Sequence, residues 1–83
     1  MALHYFHYAN GSQTLDNIGT DLADLHAVRK EAVRAFRELL SLRPTEGPWE
    51  GDPWRVWVTD QPNAAGRTIL ALQLSAEQPH GQP

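Results

Sequence analysis

The sequence predicts a small α+β domain: a small antiparallel sheet in the order β-β-α-β-β, with one amphipathic helix packed on one face. Three observations carry this. The stretch Asp24 to Leu42 repeats apolar residues at the helical period. Leu3 to Ala9, Trp54 to Thr59 and Arg67 to Leu74 alternate in polarity, as half-buried strands do, and the first two are rich in aromatic and β-branched residues. Turn signals separate these segments, Asn10-Gly11 being the sharpest because both residues tolerate a positive φ.

In chain order, the first strand sends Leu3, Tyr5 and His7 to one face and His4, Phe6 and Tyr8 to the other. Phe6 with Tyr8 is the choice for the core. After the Asn10-Gly11 turn, Ser12 to Ile18 returns as a short second strand with Leu15 as its anchor, weakened by the polar Asp16-Asn17 pair. Gly19 makes the bend towards the helix. Asp24 caps the helix by accepting from its first free N–H groups, with Asp21 a rival one turn earlier. Leu25, Val28, Ala32, Ala35, Phe36 and Leu39 form the apolar stripe, opposite His26, Lys30, Arg34, Arg37 and Ser41, with Glu31 and Glu38 between. Val33 and Leu40 lie on the shoulder of the stripe beside Arg29. They read first as a wide core face and second as a contact with another subunit. Arg43 suits the negative end of the helix, and Pro44 stops it.

Arg43 to Pro53 is a composition break, rich in proline and glycine, with Trp49 at its centre. Trp49 reads as a plug over one end of the core, or else as an exposed anchor for a partner. Trp54, Val56 and Val58 then share one strand face, and Arg55, Trp57 and Thr59 the other. Asp60 to Gly66 is a hairpin loop. In the last strand Thr68, Leu70, Leu72 and Leu74 share the helix side, with Ile69 and Ala71 on the reverse near Trp57. Residues 1–76 form one compact domain, and 77–83 a polar tail expected to fray.

A chain of 83 residues has room for one small domain, and many of this size dimerise. It has no cysteine, so neither a disulfide nor a thiolate metal site supports the fold. No apolar run approaches the roughly 18 residues of a membrane helix. The first residues lack the basic and apolar regions of a signal peptide, so a cytoplasmic protein is expected. The net charge of −3 argues mildly against non-specific nucleic-acid binding, although most basic residues fall between Arg29 and Arg43.

Few residues suggest chemistry. His4 and His7 point to opposite faces of a strand, His26 lies on the polar helix face and His80 in the tail, so no shared metal site is expected. None of Ser12, Ser41 and Ser75 sits in a nucleophile elbow, and no glycine-rich phosphate loop precedes the helix. Asp21 with Asp24, and Glu50 with Asp52, read as caps and loop solvation. Lys30, Arg34 and Arg37 project together in a row that could follow phosphates. The plainer reading is a solvated face, with Arg34 balanced by Glu38 one turn on.

His4-Tyr5-Phe6-His7-Tyr8-Ala9-Asn10-Gly11, then Asp16-Asn17-Ile18-Gly19 before an alanine-containing helix, then Trp54-Arg55-Val56-Trp57-Val58-Thr59-Asp60 and Gly66-Arg67-Thr68-Ile69-Leu70, together resemble a domain-of-unknown-function family of short bacterial proteins. The resemblance spans nearly the whole folded chain. It departs in a longer Gln61 to Ala65 loop and in the extra tryptophan of the Arg43 to Pro53 connection. It implies a compact α+β domain and carries over no catalytic residue. His7 matches the family's recurrent histidine, for which a cross-strand or turn hydrogen bond is the implied role. The strand-then-helix layout alone is similar to HicB-like antitoxin domains, a likeness of fold that does not fix function.

The expectation is a non-enzymatic protein-interaction or regulatory module, homodimeric, without cofactor, metal or membrane partner. Its candidate contacts are Trp57 and Ile69 on the reverse of the sheet, or Trp49. The alternative is a nucleic-acid-binding module using Lys30, Arg34 and Arg37, and the third an enzyme of unknown type.

Overall fold

The computed structural model describes residues 2–42 and 53–77. Residues 43–52, Trp49 among them, and the tail beyond Glu77 lie outside the described residues. Along the chain come β1 (Ala2–Ala9), β2 (Gln13–Thr14), β3 (Thr20–Leu22), α1 (Leu25–Leu42), β4 (Trp54–Thr59), a 3-10 turn (Pro62–Ala64) and β5 (Thr68–Leu74). The fold is α+β as predicted: an antiparallel five-stranded sheet with one helix packed against it. The main order is β2-β1-β4-β5, with β3 also paired to β1.

The second strand differs from expectation. Ser12 to Ile18 does not run as one strand, and Leu15 is 39% exposed rather than an anchor. Instead the edge beside β1 is split. β3 pairs with Ala2, Leu3 and His4, and β2 with Tyr8 and Ala9. Between them the Phe6 N–H has no strand partner and donates to Asp16 Oδ2 at 3.1 Å. Asp16 breaks the strand because its carboxylate offers the backbone a competing set of hydrogen bonds. Gly19 follows at φ 84°, where a Cβ would stand 2.8 Å from the Tyr5 ring.

The helix begins where its cap requires. Asp24 Oδ1 accepts the Ala27 N–H at 2.9 Å, so Asp24 and not Asp21 is the cap. Val28, Ala32, Ala35 and Leu39 are buried against Phe6, Trp54, Val56 and Val58, with Tyr8, Leu22, Phe36, Leu70 and Leu72 packed around them. Alanine at both central positions lets the helix lie close to the sheet. The stripe is narrower than predicted: Leu25, Val33 and Leu40 are 46%, 43% and 37% exposed. Val33 and Leu40 stand well round the helix from Val28, Ala32, Ala35 and Leu39, on the side that the sheet does not cover.

β4 and β5 form the closing hairpin, with Val58 opposite Leu70 but Thr59 opposite Thr68. The extra residue, Ile69, is a bulge. It moves Thr68 off the Leu70 face and onto that of Thr59, which corrects the expected alternation. Asp60 closes the loop: its Oδ1 accepts the Arg67 N–H at 2.8 Å, and its own N–H donates to the Arg67 carbonyl at 3.2 Å. Within the loop Asn63 and Ala64 take left-handed conformations, φ 59° and 63°. No described helix is long and apolar enough to cross a membrane.

Candidate functional site

The most constrained group is His7. Its side chain leaves β1 on the sheet face away from the helix and is 0% exposed. Two loops close over that end of the face. The 3-10 turn packs on β1 and β4, and the Asn63 N–H donates to the Asp16 carbonyl at 2.9 Å. The Asp16 N–H donates to His7 Nδ1 at 3.0 Å, and His7 Nε2 lies 2.8 Å from Thr59 Oγ1. The Thr59 hydroxyl in turn donates to the Gln61 carbonyl at 2.7 Å. These donors fix the tautomer. Nδ1 faces an N–H and must accept, so Nε2 carries the proton and donates to Thr59. His7 is therefore a neutral strut tying the 15–19 loop through β1 to β4 and the 60–66 loop. Trp57 packs beside it, ring centroids 5.3 Å apart, and the Arg55 guanidinium lies over the Trp57 ring, 4.9 Å from its centroid.

Burial disfavours the imidazolium and holds the His7 pKa below its ordinary value of 6.5, with the Asp16 charge opposing the shift. Because the folded value is the lower one, the unfolded chain takes up the proton first. Stability is complete above about pH 6.5 and falls as pH drops from there through the folded value. The expected result is an NMR titration midpoint for His7 below 6.5, and a urea midpoint that begins to decline at that pH. A His7 midpoint above 6.5 would show that the ring accepts its proton in place and is no neutral strut.

The basic row on α1 is not a row of free cations. Arg34 Nε donates to both carboxylate oxygens of Glu31, at 3.0 and 3.1 Å, and Nη1 donates to Glu38 at 2.8 Å. These contacts raise the Arg34 pKa further and hold Glu31 below the usual carboxylate range. Lys30 and Arg37 make no salt bridge with another described residue, and neither does the nearby Arg29. Together with His26 and Arg34 they line a depression of about 390 Å³ around Val33.

A second cleft, of about 350 Å³, lies between α1 and the split edge, with Tyr8, Asp16, Ile18, Glu31 and Arg34 among its walls. Its charged groups are already paired with each other or with backbone. On the reverse face, Trp57 is only 7% exposed and Ile69 is half-buried at the bulge. Of the two candidate contacts on this face, Trp57 is therefore largely covered, with His7 and Arg55 packed beside it. Trp49 lies outside the described residues. No group of three or more potential metal ligands occurs among the described residues. Asp16 and Thr59 stand in the motifs quoted from the sequence, but without the hydrogen-bonding roles found for them in the fold. The available signals were an Asp placed three residues before a glycine, and a threonine two residues after the buried-face Trp57.

A family model described as a domain of unknown function, DUF6894, matches residues 3–75. The match agrees with the resemblance drawn from the aromatic-His strand, the Asp16-to-Gly19 turn and the closing hairpin. No curated protein and no solved structure matches the chain.

Proposed function

We propose that this chain, which belongs to the DUF6894 family, is a non-enzymatic protein-interaction module that works as a cytoplasmic homodimer. The observation that carries the proposal is the outer edge of β5. Among the described strands β5 has β4 as its sole neighbour. Its residues, Thr-Ile-Leu-Ala-Leu-Gln-Leu, include no charge and no proline. Edge strands normally carry such residues because a bare edge pairs with other chains. The opposite edge shows the contrast, since there Asp16 already occupies the gap at Phe6. Two copies of β5 pairing antiparallel about Ala71 extend both sheets into one and bring Leu70 and Leu72 of each copy together on the helix side. The absence of cysteine suits a reducing compartment. A non-enzymatic role is supported by His7, whose two ring nitrogens are both spent on holding loops.

Sedimentation velocity on the wild type should give a dimer at micromolar concentration. Ala71→Lys places a charge at an exposed position of the edge and should give a folded monomer with an unchanged circular dichroism spectrum. A wild type that stays monomeric throughout, or an Ala71→Lys variant that still dimerises, rejects the edge as the interface. Nucleic-acid binding is the second reading, favoured by Lys30, Arg37 and Arg29 lying together. It is weakened by the Glu31 and Glu38 contacts of Arg34 and by the net charge of −3. It predicts affinity that falls with salt, with a slope reduced by about one for each of these cations removed.

A further inference from the structure

We infer that the outer shoulder of α1 is a docking site for an acidic amphipathic helix of a partner protein. Val33 and Leu40 stand seven residues apart on this shoulder, 43% and 37% exposed. That spacing puts them above one another on the helix, like successive positions of a coiled-coil seam. His26 continues the line one repeat earlier. Lys30 and Arg37 flank it on one side and Arg29 on the other, around the depression in which Val33 sits. Among the described residues, every charged side chain lining this depression is a cation. The two helix glutamates, Glu31 and Glu38, lie round the helix on the far side of Arg34 and are bound to it. An apolar line between cationic flanks is the complement of a helix carrying Leu or Ile at the same spacing with Asp or Glu beside them.

The charge pattern also removes other occupants. A second copy of α1 would bring Arg29, Lys30 and Arg37 against their own equivalents, and such like-charge contacts disfavour pairing. The expected homodimer therefore does not use Val33 and Leu40, and this inference is independent of the β5 edge. A phosphate backbone would satisfy the cations but leave Val33 and Leu40 facing charge. A lipid surface calls for a broad apolar face with aromatic anchors, whereas here two aliphatic side chains stand alone.

The test pans a display library of helical peptides, varied at their surface positions, on the full-length protein. Hits are then measured by fluorescence anisotropy, alongside a DNA duplex and anionic phosphatidylserine vesicles. The expected hits place Asp or Glu beside Leu or Ile repeated every seven residues. Lys30→Glu with Arg37→Glu should weaken their binding by about tenfold or more. A peptide with its acidic residues changed to lysine should regain affinity for that variant. Val33→Ser, at an exposed position, should weaken binding several-fold without affecting the fold. No saturable hits, hits without acidic residues, or binding that ignores all three substitutions would overturn the inference. So would duplex or vesicle binding, lost with the same cations, in place of peptide binding.

Discussion

Replacing His7 with alanine is expected to lower the unfolding free energy by roughly 3 to 5 kcal/mol, from a cavity and from abandoned hydrogen-bonding groups together. The side chain is 0% exposed, so none of the lost volume is refilled by solvent without entry into the fold. The Asp16 N–H loses its acceptor, Thr59 Oγ1 loses the donor at 2.8 Å, and Trp57 loses its ring neighbour. A small domain has a total stability of about 5 to 15 kcal/mol, and one of this size lies towards the lower end, so the variant should keep only a small part of the wild-type margin. Urea denaturation followed by tryptophan fluorescence measures the effect, since Trp57 reports on the same contact. Thr59→Val removes one partner and keeps the volume, and should cost about 1 to 2 kcal/mol. If His7→Ala stays within about 1 kcal/mol of the wild type, the network does not hold the two loops to the sheet.

The elements legible in the sequence are those whose cause is local. Periodicity located α1 to within a residue, because Asp24 carries its own cap chemistry and the buried positions repeat at the helical spacing. Alternation located β4 in full, because Trp54, Val56 and Val58 are buried against the helix. Features set by distant partners were not legible. Val33 and Leu40 extend the apolar stripe in a periodicity, and their exposure is set by where the helix rests on the sheet. The bulge at Ile69 depends on how the 60–66 loop closes, and an alternating run does not record it. Trp57 looked available because its face carries no helix, yet it is buried, with His7 and Arg55 packed on it. The strut itself was half-visible. His7 stood out as a histidine, but its partners lie 9 and 52 residues away, and no spacing rule connects them.

Asp16→Ala is expected to cost roughly 2 to 4 kcal/mol, because one carboxylate does the work of a missing stretch of strand. Oδ2 accepts the Phe6 N–H at 3.1 Å, in the gap between β2 and β3, and Oδ1 accepts from Ile18 and Gly19 at 2.9 and 3.2 Å. Burial alone would push this carboxyl up. The N–H groups of Ile18, Phe6 and Gly19, helped by His7, outweigh it and hold the pKa below its ordinary 3.8. With the folded value depressed, this contribution is present above about pH 3.8 and is lost as pH falls through the folded value. It therefore begins at a more acidic pH than the loss tied to His7, and Asp16→Ala should abolish it. Asp16→Asn separates the two oxygens. An asparagine can keep its carbonyl towards Ile18 and Gly19, but its amide then presents a donor to the Phe6 N–H. If the contact with β1 dominates, Asn is nearly as damaging as Ala, and exchange of the Phe6 amide hydrogen accelerates in both. If the turn at Ile18 and Gly19 dominates, Asn restores most of the stability while Phe6 exchange stays fast. Slow Phe6 exchange in the alanine variant would mean that something other than Asp16 closes the split edge of the sheet.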